Sequence, residues 1–408
     1  MVKTVIILND FCFVNGGASR VAIDTATALA EDGLDVRFLG AVGPISPELE
    51  HPRIRVTCLQ QSELIDAAKQ PLVAVQGIWN SQAYFAAKEL LAACDRTATV
   101  VHIHGWTKAL SSAPIRAAIQ SGYSTILTLH DFFSACPNGA FFNYQTSQCC
   151  ELRAMSPECV ITHCDKRSLV HKGYRVARGL AQISAGKFPR KVKNYISLSR
   201  VSEQLMRPYL PAESRFFPLH NTIDSPKAEP ATPSKNVGVV AVGRLDPEKG
   251  VELLIEAARL AGVNVTFVGD GQMRSLAESE SHCSVTGWRS PGEVTSILRE
   301  SRALVFASLW YETFGLVVDE ASAAGVPSIV ASNSAAAERI VDGKDGWIFR
   351  SGDLNALVAS LKRLRDDACV ADVGRNSYES FWARAPSKEE HLRSVRSIYD
   401  AVLSGAAM

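Results

Sequence analysis

Two carboxylates, Glu312 and Glu320, flank the turn Thr313-Phe314-Gly315 in the stretch SLWYETFGLVVDEASAAG (308–325). The run ALVFAS (303–308) ahead of the turn is small and apolar and reads as a buried parallel strand, and an apolar helical pattern follows the turn. Strand, glycine-containing turn and helix start together make an anion site, because unpaired N–H groups and the helix dipole point outward there. On one continuous helix the two glutamates would stand about 80° apart and share no face. With Glu312 in the turn and Glu320 in the helix, both reach one crevice.

A second candidate is GRLDPEKG (243–250), where Arg244 and Lys249 bracket a turn between a strand and a helix. A planar fork and a point charge beside a strand end suit a diphosphate, and the plain alternative is a turn with surface charges. FVGDG (267–271) lacks the third glycine and the ribose-binding acid of a dinucleotide fingerprint, so it reads as a sharp turn. Gly16 and Gly17 let backbone approach a ligand closely, or form a tight turn and nothing more. No D-x-D occurs, which leaves a metal clamp on phosphate without obvious ligands. Fixed cations and a helix N-terminus can supply that stabilisation. Among the histidines, His130 at a strand end is a polar-site candidate or a satisfied core histidine. His102 and His104 are read as facing opposite sides of their strand, which disfavours a shared metal.

The elements that position these residues follow from the order of patterns. TVIIL (4–8), a loop ending in NGGASR, a helix over 21–33 and DVRFLG (35–40) open the chain as strand, turn, helix and strand. PLVAVQG (71–77), TVVHIHG (99–105), STILTLH (124–130), NYISLSR (194–200) and FFPLHNTID (216–224) are read as further strands, with SQAYFAAKELLAAC (81–94) helical between two of them. SPKAEPATPSKN (225–236) reads as a linker. A second run of strands and helices starts at VGVVAVG (237–243), and KEEHLRSVRSIYDAVL (388–403) is an amphipathic helix. Strands alternating with helices predict an α/β chain with doubly wound parallel sheets and ligand sites at the carboxyl ends of the strands. Two such halves in series predict a cleft between them.

At 408 residues the chain is long enough for two or three domains, and 47% hydrophobic with 21% charged residues is a globular composition. A net charge of +1 gives no field for nucleic acid, and no run approaches a membrane-spanning length. The first strand lacks a cleavage site, so the expected location is cytoplasmic.

GRLDPEKG, FVGDG, TGW and the S-x3-E-T-F-G-L-V-V-D-E-A pattern together resemble the retaining GT-B glycosyltransferases of family 4, with NGGASR, LHDFF and HNTID in the right order. The resemblance implies two Rossmann-like doubly wound domains facing across a cleft. Their bounds are an acceptor domain at 1–224, a linker at 225–236, a donor domain at 237–385, and a closing helix at 386–408 that returns to the first domain. It implies that Arg244 and Lys249 hold the donor's diphosphate, Glu312 contacts the sugar, Glu320 the ribose, and the N–H groups of Phe314, Gly315 and Leu316 the phosphates. Gly17, with Gly16, would close on the phosphates, His130 would bond a sugar hydroxyl, and the base would lie near Gly287 and Trp288. The implied activity is metal-independent, retaining hexosyl transfer from a nucleotide-sugar to a glycan or lipid-linked acceptor in bacterial surface polysaccharide synthesis. A same-fold epimerase and a non-catalytic nucleotide-sugar-binding subunit are the alternatives.

Two features lie outside that pattern. Five of the ten cysteines fall in the excursion 131–165, and Cys136, Cys149, Cys150, Cys159 and Cys164 could supply thiolates to a structural zinc, with buried free thiols or a redox-labile pair as alternatives. Lys172, Arg175 and Arg178 share one helical face, read as a solvated surface or as contact with anionic lipid at the inner face of a membrane.

Overall fold

The computed structural model describes residues 1–63, 71–223 and 226–405. Position 224, the end of HNTID, lies outside these residues, as does position 225 at the start of the linker. The chain divides into two compact units: Met1–Ala140 with Leu152–Asn221 and Ser387–Met408, and Phe141–Glu151 with Thr222–Pro386.

The first unit is built on strands β1 (Thr4–Leu8), β2 (Asp35–Gly40), β3 (Ile54–Cys58), β4 (Thr99–Ile103) and β5 (Ser124–Thr128). The chain then forms a short hairpin, β6 (Phe142–Asn143) and β7 (Gln148–Cys149), before β8 (Asn194–Ser197) and β9 (Arg215–Pro218). Seven of these make a parallel sheet in the order β3-β2-β1-β4-β5-β8-β9. Val5, Ile6, Ile7 and Leu8 of the central β1 are all buried, as expected of a strand covered on both faces. The chain winds outward from β1 in one direction and then from β4 in the other. The switch point therefore falls between β1 and β4, where loops diverge and leave a crevice at the strand ends.

The second unit carries β10 (Val239–Val242), β11 (Val265–Val268), β12 (Cys283–Val285), β13 (Ala303–Phe306), β14 (Ser328–Ala331) and β15 (Trp347–Phe349). Their order, β12-β11-β10-β13-β14-β15, puts the switch point between β10 and β13. The period of two sorts the core. Val239, Val265, Phe267, Val305 and Trp347 pack on one side with the helices Val251–Ala261 and Leu354–Arg363. Val240, Val268, Leu304, Phe306 and Val330 pack on the other with the helix Leu316–Ala323. The linker is partly tied down, since the Ala231 N–H donates to the Ala324 carbonyl at 2.8 Å.

Three sequence readings change. PLVAVQG is not a strand: Pro71–Ile78 is a helix. An apolar run of this length has no decisive period, and proline suits the first turn of a helix, where its missing N–H costs nothing. IRVTC (54–58), which the reading passed over, is the edge strand β3.

The basic face of the helix Leu169–Ser184 points inward. Lys172 is 2% exposed and Arg178 8%. Arg178 donates to the carbonyls of Thr107 (3.0 Å) and Pro137 (3.3 Å), and Arg175 pairs with Asp165 at 2.7 Å and donates to the Asn138 carbonyl at 3.1 Å. Buried backbone carbonyls and a buried carboxylate must find donors, and these three cations supply them. They are not a lipid-facing patch. Among the described residues, no helix is long and apolar enough to cross a membrane.

Candidate functional site

In the second unit the loops after β10 and β13 run side by side, tied by the Leu309 N–H donating to the Glu248 carbonyl at 2.9 Å. The turn after β10 needs glycine at 250. It sits at φ 71°, and a Cβ there would lie 2.1 Å from the Ala307 carbonyl oxygen. That close approach puts Lys249 beside the β13 loop. Its ammonium pairs with Glu312 Oε1, which also accepts from Ser308 Oγ at 2.9 Å and Trp310 Nε1 at 2.6 Å. The Lys249 ammonium lies 5.1 Å from the centre of the Trp310 ring. Burial alone would push the Glu312 carboxyl up, but the Lys249 charge and the three donors together hold it below the usual carboxylate range.

Arg244 is half exposed and pairs with Asp246 and, at 3.2 Å, with Glu248. Arg244, Lys249, Gly243, Phe306 and Ser308 line a pocket of about 360 Å³ that opens to solvent. The structure thus brings together Arg244, Lys249 and Glu312, which the sequence offered as separate features.

Gly315, at φ 83°, starts the helix Leu316–Ala323. The first N–H groups of a helix have no intrahelical acceptor, so those around Gly315 and Leu316 are oriented donors. Arg339, 8% exposed on its side chain, fixes this turn: it donates to the carbonyls of Phe314 (3.0 Å) and Gly315 (3.3 Å), pairs with Asp319 at 2.9 Å, and lies 4.1 Å over the Phe314 ring. Nothing in the sequence marked Arg339, because its partners lie some twenty residues earlier. Ser308 and Trp310 were equally missed as partners of Glu312, although both stand within the motif.

Glu320 lies one residue beyond Asp319 in the same helix, partly buried. Burial and then the Asp319 charge push its carboxyl up. Gly287 (φ 73°) ends β12's loop, with the Gly269 N–H donating to its carbonyl at 3.0 Å, and Trp288 is 68% exposed.

In the first unit, Gly16 (φ 88°) and Gly17 begin the helix Gly17–Glu31, with open space around Gly16. The histidines at the ends of β4 and β5 form one row. His130 Nε2 meets His104 Nδ1 at 3.0 Å, and His104 Nε2 meets His102 Nδ1 at 3.2 Å. The expectation that His102 and His104 face opposite sides is therefore wrong. Residues two apart on a strand share a face, and their rings lie 4.0 Å apart. Burial lowers all three: His102 to about 3, His130 to about 4, and His104 well below its ordinary value. Beside them, burial pushes Asp131 up to about 6. Asp10 accepts the N–H groups of Lys108 (2.8 Å), Ala109 (2.9 Å) and Leu110 (2.9 Å), fixing the loop after β4.

The five clustered cysteines are not gathered at one point. Cys149 donates to the Leu309 carbonyl at 3.2 Å in the second unit. Cys164 and Cys159 lie 3.2 and 3.8 Å from the Lys172 ammonium in the first unit, and Cys136 donates to Asn138 at 3.0 Å. Among the described residues no group of three or more His, Cys, Asp or Glu is arranged to hold a metal ion.

The family profile of glycosyl transferases group 1 matches residues 223–380. An uncharacterized glycosyltransferase of Methanocaldococcus jannaschii is 29% identical over 166 residues, 39% of this chain and 46% of that protein. A putative colanic acid biosynthesis glycosyltransferase of Salmonella typhimurium is 27% identical over 173 residues, 38% of this chain and 41% of that one. These matched segments span about half the length of the curated relatives. Anabaena HepE, solved in complex with UDP-glucose, superposes with a TM-score of 0.64 at 19% identity, covering 98% of this chain and 99% of that one. At that identity the likeness shows the fold, which is GT-B.

Proposed function

From the premise that residues 223–380 belong to glycosyl transferases group 1, we propose that this protein transfers a glycosyl group from a nucleoside-diphosphate sugar to a hydroxyl of a glycan or lipid-linked acceptor, with retention of configuration. The observation that carries the reading is the Lys249–Glu312 pair, set between two strand ends at a switch point and beside an oriented helix N-terminus. An ammonium has three donors, so Lys249 can hold Glu312 and a phosphate oxygen together. Arg244 brings a planar fork to the same pocket. Charge develops on the departing diphosphate as the glycosidic bond breaks. Preorganised cations and helix N–H groups stabilise that charge without reorganising. No side chain in this set has to act through a metal.

Glu312 suits an orienting role better than a nucleophilic one. One of its oxygens already accepts three donors, and its charge is compensated by Lys249. Its remaining lone pairs would direct a sugar hydroxyl, and the leaving phosphate would take the acceptor's proton on the same face. Glu320 is assigned to the ribose, and His130, in the first unit, to a hydroxyl of the transferred sugar. Gly16 and Gly17 are assigned to phosphate, and Gly287 and Trp288 to the base. UDP is the first base to test, because HepE was solved with UDP-glucose, and surface polysaccharide is the acceptor class that the Salmonella relative suggests.

The test is a thermal-shift screen against UDP-, GDP- and ADP-sugars, followed by NMR of the product's anomeric configuration. Stabilisation by one base series and an anomer matching the donor are expected. An inverted product would overturn the retaining mechanism. Isomerised donor without acceptor would mean an epimerase.

A further inference from the structure

The imidazole row does not end at His102. His102 Nδ1 also meets the Tyr399 hydroxyl at 2.7 Å, and His102 Nε2 meets Thr128 Oγ1 at 2.7 Å. Tyr399 lies on the helix Lys388–Ser404, near the other end of the chain, and is fully buried. We propose that Tyr399 is a positioning residue that sets the tautomer of His130, so that His130 offers Nδ1 as a hydrogen-bond acceptor to a sugar hydroxyl. The sugar part of this inference rests on the function proposed above.

The argument is a proton count. All three imidazoles are neutral, because burial disfavours their charged forms. Each neutral ring carries one proton, and each ring-to-ring contact holds one. Fixing either end of the row therefore fixes every ring. At the far end His102 lies between two hydroxyls, and one must donate while the other accepts. A phenol, with a pKa of about 10, is the more acidic hydroxyl and the poorer acceptor. Tyr399 therefore donates to His102 Nδ1, and His102 Nε2–H donates to Thr128. With Nδ1 of His102 unprotonated, His104 donates to it from Nε2 and keeps Nδ1 as an acceptor. His130 then donates to His104 from Nε2, leaving its own Nδ1 unprotonated.

Removing the phenol reverses the count. Thr128 would donate to His102 Nε2, His102 Nδ1–H to His104, and His104 Nδ1–H to His130 Nε2. The proton on His130 would move to Nδ1, and the acceptor would become a donor.

The experiment reads the tautomer directly, by ¹⁵N NMR of histidine-labelled, ligand-free protein, with the His130 signal identified by its loss in His130→Gln. The wild type is expected to show His130 protonated at Nε2, and Tyr399→Phe to move population toward Nδ1. A wild type protonated at Nδ1, or a tautomer that does not respond to Tyr399→Phe, overturns the relay. The wild-type spectrum decides this even if the variant is unstable. With substrate, Tyr399→Phe is expected to raise the donor KM about two- to tenfold while kcat stays close to wild type, since binding must select the minor tautomer. A fall in kcat with unchanged KM, or no change in either after a tautomer shift, overturns the link to the sugar. Absence of any transfer by the wild type would defeat the glycosyl reading instead, and the NMR result would still decide the relay.

Discussion

The two sheet ends solve the same problem with opposite electrostatics. At the end of the second sheet, charge is balanced by charge: Lys249 pairs with Glu312, Arg244 with Asp246 and Glu248, and Arg339 with Asp319. At the end of the first sheet, His102, His104 and His130 are linked by hydrogen bonds and kept neutral by burial. A set of ion pairs can exchange an internal partner for an incoming anion, which suits a diphosphate. A neutral row instead carries directional information, because one proton position fixes the next. The difference predicts that substitutions in the second unit change how much binding or rate is available. Those in the first should change how finely the substrate is oriented.

The largest expected effect is at Lys249. Lys249→Ala should lower kcat by about 10²- to 10³-fold, the scale of losing one preorganised charge-stabilising group. Glu312→Ala should also slow transfer more than it weakens donor binding. Single-turnover kinetics beside donor titration separates the two, and a purely binding-type loss at both positions would break the contrast. Arg339→Met should cost about 3 kcal/mol or more in stability, because it strands the buried Asp319 carboxylate. Chemical denaturation measures this, and Arg339→Met with Asp319→Leu should recover part of it.

A smaller effect is expected at Glu320. Its carboxyl is raised in the free protein, and hydroxyl donors from a ribose would favour its ionised form, so donor binding should release a proton. Affinity should therefore strengthen as pH rises above the ordinary glutamate value of 4.5. Glu320→Gln should flatten that dependence and weaken binding by roughly tenfold, about one charge-assisted hydrogen bond. Calorimetry in buffers of different ionisation enthalpy checks the proton release. The smallest effect concerns His130. With its pKa lowered to about 4, it stays neutral from pH 5.5 upward, so the pH–rate profile there should be the same in wild type and His130→Gln. A limb near pH 6.5 that disappears in the variant would contradict the neutral row.

Much of the fold was legible because buried parallel strands leave compact apolar runs. TVIIL, ALVFAS and VTFVGDG mark the strands around both switch points. The errors have specific physical causes. PLVAVQG carries no decisive period, so strand and helix fit it equally. The inward turn of Lys172, Arg175 and Arg178 depends on carbonyls at Thr107, Pro137 and Asn138, which no helical pattern can announce. Site residues within a motif were readable as types but not as pairs. Lys249 and Glu312 stand 63 positions apart, and only the fold puts one against the other. The row from His130 to Tyr399 was invisible for the same reason, since its members come from three separate stretches of chain.

The hairpin β6–β7 has a consequence for anyone who rebuilds this protein by exchange. The chain leaves the first unit after Ala140, contributes Phe141–Glu151 to the second, and returns at Leu152. In the second unit Cys149 and Asn333 both donate to the Leu309 carbonyl, at 3.2 and 2.7 Å, three residues before Glu312. A graft cut at the apparent linker would separate that hairpin from the loop it supports. Swapping donor specificity between relatives would therefore mean transplanting two segments, with 141–151 travelling alongside the C-terminal half.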